Sequence, residues 1–133
     1  MSENIKIRLA NEQDDAVLGE LLIRSYVETY AKKMPEVVVS ERRKADLRNL
    51  KLKRETAVVF VAENDRRIVG TVTLFPPNHP DTESWKLNSC DLRYMAVDPK
   101  YQGLGVADKL IEACKLKSAE WGSEFICLHV RRG

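Results

Sequence analysis

The sequence predicts a mixed α/β domain in which helices cover a mixed sheet. Some short segments alternate apolar and polar residues with a period of two, whereas others repeat apolar residues every three or four positions. The C-terminal part reads as strand, Gly-rich turn, helix and strand. The predicted order is strand, helix, helix, strand, strand, strand, helix, strand, within a single domain over residues 1–133.

The N-terminal strand is predicted over residues 5–9, where Ile5, Ile7 and Leu9 alternate with basic residues. Asn11, followed by an acidic pair, is typical of a helix start. The residues expected on one face of that helix are Val17, Leu18, Leu21, Leu22, Ser25 and Tyr26. Pro35 ends this helix within residues 32–40.

A second, highly charged helix is predicted over residues 40–55, with Ser40 as its N-cap. The apolar runs 57–62 and 68–75, joined by a polar segment, indicate a hairpin. Three prolines open the loop 76–88, and residues 92–97 form the next predicted strand.

The C-terminal unit combines a helix with a buried strand. The predicted buried face of the helix comprises Ala107, Leu110, Ile111, Cys114, Ser118 and Trp121. Gly122 ends it, and residues 125–130 form a continuous apolar run. Such a run is typical of a parallel strand, so we expect a right-handed parallel crossover.

Composition excludes several classes of protein. The 22 basic and 20 acidic residues give a net charge of +2, which argues against a dedicated nucleic-acid binder. No segment approaches the ~20 apolar residues of a membrane span, and the N-terminus does not resemble a signal peptide. The three cysteines lack the spacing of metal ligands, so no metal is expected. These features favour a soluble, cytoplasmic protein.

Residues 97–107 carry the clearest functional signal. A strand ends, a turn containing Gly103 and Gly105 follows, and a helix begins immediately. Glycines allow a close backbone approach, and the N–H groups of a helix start form an anion site suited to a diphosphate. The segment lacks the Gly-Lys-Ser/Thr of a P-loop, and it lies too late in the chain for a dinucleotide fingerprint.

This segment resembles the acyl-CoA signature of the GNAT superfamily of N-acyltransferases. The matching positions are Gln102, Gly103, Leu104, Gly105, Val106 and Ala107. The preceding strand and its Val97-Asp98-Pro99 exit look like the fourth strand of that family, and the order of elements agrees along nearly the whole chain. The resemblance implies a GNAT-like fold, acetyl-CoA as cosubstrate and direct acetyl transfer to a primary amine.

The resemblance also implies roles for particular residues. The backbone of Met95, Ala96 and Val97 would bind the pantetheine arm as an added strand does, and one of these N–H groups would stabilise the thioester oxygen. The N–H groups of residues 102–107, including Leu104, would hold the diphosphate. Asp108, which follows them, suits the helix dipole but repels a diphosphate.

Attack on the thioester requires a neutral amine, so a carboxylate or a water held by one is expected nearby. Asp91 is the first candidate for this base, because acidic residues often occupy this place in the family. His79 and Glu83 are weaker candidates. Tyr94 is interpreted as a packing residue rather than as a general acid.

The family's fifth strand is normally followed by a helix with a proton-donating Tyr and by two more strands. This sequence ends at Gly133, just past the predicted fifth strand. An inactive or regulatory acyl-CoA-binding module is therefore the alternative function, and an interaction domain without ligand is a third. A homodimer that covers the apolar last strand is also expected. The acceptor, a small amine or a protein N-terminus or lysine, would be selected by the loops at 30–40 and 76–88.

Overall fold

A computed structural model describes residues 5–33, 40–77, 89–123 and 125–128 of the chain. The strands are β1 (Ile5–Leu9), β2 (Val58–Asn64), β3 (Arg67–Phe75), β4 (Ser89–Val97) and β5 (Phe125–Leu128). The helices are α1 (Asp15–Lys33), α2 (Glu41–Arg48), α3 (Leu50–Thr56) and α4 (Val106–Glu120). The predicted mixed α/β class and order of elements are confirmed, with one helix divided in two.

The five strands form one sheet in the order β1-β2-β3-β4-β5. The first four are antiparallel neighbours, whereas β5 pairs with β4 in parallel, as the apolar run at 125–130 predicts. The connection between β4 and β5 contains α4, because parallel neighbours require a crossover of this kind. Residues 129–133 lie outside the described residues.

Two apolar clusters hold helices against opposite faces of the sheet. On one face, Val106, Leu110 and Cys114 of α4 pack on β-sheet side chains. On the other face, buried leucines of α1, α2 and α3 pack on the sheet. The alternation within β2 supplies both clusters, since Phe60 faces α4 and Val61 faces the opposite helices. The sheet is therefore the middle layer of three.

The contact between β3 and α4 depends on Gly70. A Cβ atom at this position would lie 2.9 Å from a methyl carbon of Val106 and 3.3 Å from one of Leu110. The missing side chain lets the first turn of α4 lie close to the sheet, next to the end of β4, where Gly70 pairs with Val97. This close packing fixes the position from which α4 starts.

Asn49 corrects the prediction of one continuous helix over residues 40–55. It ends α2 and caps α3, with φ −82° and ψ 64°, and its side chain accepts a hydrogen bond from Leu52 N at 3.3 Å. An Asn side chain competes with the helical backbone in this way, and the charged periodicity concealed that signal. Leu47 and Leu50, on either side of the break, both reach the core.

Most of the predicted face of α1 is correct. Leu18, Leu21 and Leu22 of this face are buried, whereas Val17 is 52% exposed at its edge. The helix is preceded by a short 3-10 turn (Glu12–Asp14) capped by Asn11, as the acidic pair suggested. None of the described helices is long and apolar enough to cross a membrane.

Candidate cofactor groove

β4 is interrupted by a bulge immediately before the functional segment. Thr71 pairs with Ala96 and Thr73 with Arg93, so β4 has two residues between these pairs where β3 has one. Tyr94, one of the two, has a φ of 55°, which is uncommon for a residue other than glycine. The extra residue directs Tyr94 and Ala96 toward α1–α3, whereas Met95 and Val97 pack on the α4 side.

The turn after β4 is held by Asp98. Its backbone N–H donates to the carbonyl of Val69 at 2.8 Å, and its side chain accepts from Lys100 N at 3.0 Å. This side chain caps a short 3-10 turn (Pro99–Tyr101). The chain is thereby tied to the sheet just before the glycines.

Gly103 and Gly105 adopt left-handed conformations, with φ values of 79° and 84°. Gly105 is the N-cap of α4 and provides no side-chain hydrogen bond to the helix start. A Cβ atom built on either glycine would meet no protein atom within 4 Å. The glycines are therefore required by the backbone conformation, and the space beside them is open to a ligand.

The helix start carries backbone N–H groups that have no acceptor within the helix. In an α-helix, the first N–H groups have no carbonyl partner within the helix, so those of Val106, Ala107 and Asp108 are directed outward at the positive end of the dipole. By contrast, Gln102 N–H donates to Pro99 O at 3.4 Å and Leu104 N–H to Tyr101 O at 3.3 Å. The strongest donors are therefore the glycines and the first turn of α4, rather than the whole of residues 102–107.

A groove of about 460 Å³ runs along this segment. It is lined by Ser25, Met95, Ala96, Val97, Tyr101, Gln102, Gly103, Gly105, Val106, Ala107 and Asp108. Eight of the nine residues predicted to bind the cosubstrate are thus brought together, and Leu104, 44% exposed, is not among those that line the groove. An extended strand edge that leads to a helix N-terminus fits a pantetheine arm followed by a diphosphate.

Sequence patterns missed two residues of the groove, Ser25 and Tyr101. Ser25 belongs to the predicted buried face of α1, and only the packing of α1 against the sheet brings it to the end of β4. Tyr101 closes the short 3-10 turn and packs against the cluster under α4. No local pattern in the sequence distinguishes either residue from an ordinary packing residue.

Asp91 lies upstream of the bulge on β4 and is fully buried. It pairs with Phe75 of β3 and Cys127 of β5. Because cross-strand partners project from the same face, and Phe75 packs beneath α1–α3, Asp91 shares that face with Tyr94 and Ala96. His79 and Glu83 lie outside the described residues.

Tyr94 packs in the core between the sheet and the helices, as predicted. Its hydroxyl lies 3.2 Å from Oδ2 of Asp46, to which it donates a hydrogen bond, and Lys53 Nζ lies 4.5 Å from the centre of its ring. Burial raises the pKa of Tyr94 and lowers that of Lys53. The hydroxyl is thus committed to α2 and not to the groove.

The structure describes the side chains of Cys90 and Cys114, and neither lines the groove. Cys90 and Cys114 are buried free thiols, and burial raises the pKa of Cys114 to about 12, so this thiol stays protonated at neutral pH. Within the part of the chain that the structure describes, no group of three or more His, Cys, Asp or Glu side chains could hold a metal ion.

The fold and the groove define a class of protein: a mixed-sheet domain with a groove that runs from a strand edge to the start of a helix. A family model described as an acetyltransferase (GNAT) domain matches residues 55–132, more than half of the chain. The chain therefore belongs to the GNAT acetyltransferase family. A search of curated proteins found no significant match.

Solved structures show the same fold. A predicted acetyltransferase from Clostridium acetobutylicum, solved with acetyl-CoA, is 20% identical with a TM-score of 0.73, over 96% of this chain and 82% of that one. A ribosomal-protein-alanine N-acetyltransferase from Brucella melitensis biovar Abortus 2308 is 21% identical with a TM-score of 0.66, over 96% and 81%. An aminoglycoside acetyltransferase from an uncultured soil metagenomic sample, in complex with sisomicin, is 25% identical with a TM-score of 0.64, over 97% and 79%.

Proposed function

We propose that the protein is a cytoplasmic acetyl-CoA-dependent N-acetyltransferase that moves the acetyl group directly to a primary amine. The observation that supports this most strongly is the continuous groove from Met95 to Ala107, in which a strand edge leads to an uncapped helix start. The structure from C. acetobutylicum was solved with acetyl-CoA, which supports the same cosubstrate here.

In this proposal, the backbone of residues 95–97 binds the pantetheine arm and orients the thioester. The N–H groups of Gly103, Gly105 and the first turn of α4 hold the diphosphate, where the helix dipole stabilises negative charge. When an amine attacks the thioester carbonyl, the carbon–sulfur bond breaks and the thiolate of CoA leaves. A backbone N–H near the bulge stabilises the oxyanion that forms in between.

Asp91 is our candidate for the group that removes a proton from the ammonium form of the acceptor, directly or through a water. It lies on the α1–α3 face of β4, upstream of the bulge, whereas the pantetheine-binding residues follow the bulge. An acceptor that enters from the side of α1–α3 would therefore meet Asp91 before it meets the thioester. Because Asp91 is fully buried, it is suited to take a proton from one bound acceptor rather than to attract cations from solvent in general.

The test is a thiol-release assay with acetyl-CoA and a panel of amines that includes sisomicin and peptides with an N-terminal alanine. We expect the Asp91→Asn variant to lose about 10²-fold in kcat, while its Kd for acetyl-CoA changes by no more than about twofold. Because the amine must be neutral to attack, the loss in kcat should be largest near neutral pH and smaller near the pKa of a free alkyl amine, about 10.

Asp65→Asn is the matched control, because it makes the same change in an exposed turn where a φ of 49° suits Asn. Full activity of the Asp91→Asn variant would exclude Asp91 as the base. Binding of acetyl-CoA without transfer to any amine would instead favour the alternative function, an inactive or regulatory acyl-CoA-binding module. That alternative and a homodimer remain proposals.

A further inference from the structure

A second groove, of about 490 Å³, lies between the N-terminal half of α1 and the turn that joins β2 to β3. We call it the cationic groove. Val17, Leu21 and Ile68 form apolar parts of its wall. The charged residues that line it are Arg24, Arg66, Arg67, Glu20 and Asp98. Three guanidinium groups thus converge on a concave surface that no step of the acetyl transfer requires.

The two carboxylates of this groove are engaged by arginines. Oδ2 of Asp98 lies 3.5 Å from Arg24 and 3.8 Å from Arg67, and Glu20 lies 3.8 Å from Arg48 outside the groove. The Asp98 side chain is only 8% exposed, whereas those of Arg24 and Arg67 are 50% and 59% exposed. The acid therefore lies beneath the guanidinium groups and orients them, and their outer N–H groups face solvent.

Arg66 occupies a backbone position that does not favour arginine. Asp65 and Arg66 have φ values of 49° and 72°, as in the two-residue hairpin turns in which Asn-Gly is preferred. A left-handed conformation costs about 1 kcal/mol for a residue with a Cβ atom. Such strain is often retained where a side chain serves a function, and here the side chain lines the cationic groove.

The two grooves adjoin at both walls. On α1, Arg24 lines the cationic groove and Ser25 the cofactor groove; at the end of β4, Val97 lines the cofactor groove and Asp98 the cationic one. A ligand whose diphosphate lies at the start of α4 can therefore extend its next substituent into the groove lined by the arginines. In CoA, the group beyond the diphosphate is a ribose that carries a 3′-phosphate.

We propose that Arg24, Arg66 and Arg67 form a site for the 3′-phosphate of CoA. This inference rests on the proposed function, because it takes acetyl-CoA as the occupant of the neighbouring groove. A phosphate dianion accepts several charge-assisted hydrogen bonds, and planar guanidinium groups are well suited to donate them in pairs. The site would distinguish CoA from analogues that lack this phosphate.

The test compares the Kd of acetyl-CoA with that of acetyl-3′-dephospho-CoA by calorimetry at about 0.1 M ionic strength. We expect the wild type to bind acetyl-CoA about tenfold more tightly, as the loss of charge-assisted hydrogen bonds implies. In the Arg66→Gly variant, the preference for acetyl-CoA over acetyl-3′-dephospho-CoA should fall to about threefold. Because glycine suits a φ of 72°, this variant should unfold at the same or a higher temperature than the wild type, so a lower ratio cannot reflect misfolding.

Arg42→Ala is the charge-matched control, since it removes an exposed cation from α2, away from both grooves, and should keep the tenfold ratio. Equal affinity of the wild type for both ligands would overturn the phosphate site but leave the proposed function intact. Binding of neither ligand would overturn both. Binding of inorganic phosphate to the acetyl-CoA complex, abolished by Arg66→Gly, would show that the groove takes a free phosphate and would also overturn the proposal.

Discussion

Asp108 lies in the first turn of α4 and also lines the cofactor groove, so its charge acts on stability and on binding in opposite directions. A carboxylate near a helix N-terminus stabilises the helix by about 0.3–1 kcal/mol. The same charge repels a diphosphate held by the neighbouring N–H groups. If acetyl-CoA binds as proposed, a single residue thus opposes cosubstrate affinity while it stabilises the fold.

Replacing Asp108 by Asn should therefore separate the two effects. We expect the free energy of unfolding to fall by about 0.5 kcal/mol and the Kd for acetyl-CoA to decrease by about two- to fivefold at low ionic strength. Urea unfolding and calorimetry measure the two quantities. Because surface charges are screened by salt, the gain in affinity should diminish at about 1 M NaCl, and a gain that is independent of salt would contradict this electrostatic explanation.

Several individual residues were predictable because their chemistry is local. The glycines at 103 and 105 are dictated by the backbone of the turn, and their pattern is visible without a structure. The cationic groove was not predictable, because Arg24 comes from α1, the adjacent pair Arg66 and Arg67 from a hairpin, and Asp98 from the end of β4. Only tertiary packing brings these three segments together.

Among the elements, the start of α1 depends on an ion pair with β1. Arg8 donates to both carboxylate oxygens of Asp14, at 2.8 Å and 3.0 Å, and also to Glu63 at 3.1 Å. Asp14 in turn accepts from the backbone N–H of Asn11 at 2.8 Å and completes the helix cap. The hydrogen bonds from Arg8 hold the pKa of Asp14 below its usual value of 3.8.

This contact should make stability sensitive to acid. A carboxyl group whose pKa is lower in the folded state stabilises the protein above its unfolded pKa, and this contribution is lost as the pH falls through the folded value. We expect Arg8→Met to reduce the free energy of unfolding by about 2 kcal/mol at about pH 7. The difference from the wild type should shrink below about pH 3.8 as Asp14 becomes protonated.

Urea unfolding at several pH values tests this expectation, with Arg42→Met as a control that removes an exposed arginine. The control should lie within about 0.5 kcal/mol of the wild type at every pH. A difference between Arg8→Met and the wild type that stays constant down to about pH 2 would show that Arg8 stabilises the fold by packing rather than through its charge.

Elements were predictable where hydrophobic periodicity was strong and less so where polar side chains decided the geometry. The strands and the face of α4 follow from periods of two and of 3.6 residues. The break at Asn49 and the bulge at Tyr94 do not alter the average pattern. Asn49 ends one helix and caps the next through local hydrogen bonds, whereas the bulge lies against a distant part of the chain. Tyr94, for instance, is held by Asp46 of α2.

At the scale of the whole molecule, the cofactor groove joins the two helical layers. Ser25 lies on α1, Val106 on α4, and Ala96 on the sheet between them, and all three line the same groove. A ligand bound there would contact both helical layers and the sheet between them. We therefore expect acetyl-CoA to stabilise the molecule as a unit.

At about 100 times its Kd, acetyl-CoA should add about 2.7 kcal/mol to the free energy of unfolding. Thermal and urea unfolding with increasing acetyl-CoA measure this gain, with pantetheine as a ligand that lacks the diphosphate. An equal gain with pantetheine would contradict the role of the helix start. No gain at millimolar acetyl-CoA would exclude cosubstrate binding and favour an interaction domain.

The bulge in β4 has a further consequence for how the strand uses its side chains. An alternating strand assigns odd and even positions to opposite faces throughout, but the extra residue at Tyr94 reverses that assignment halfway along. If β4 paired with β3 without this bulge, every residue after Arg93 would slip by one position and exchange faces. Met95 and Val97 would then turn toward α1. The strand thus contains two phases, and under the proposed function the first would face the acceptor and the second the cosubstrate.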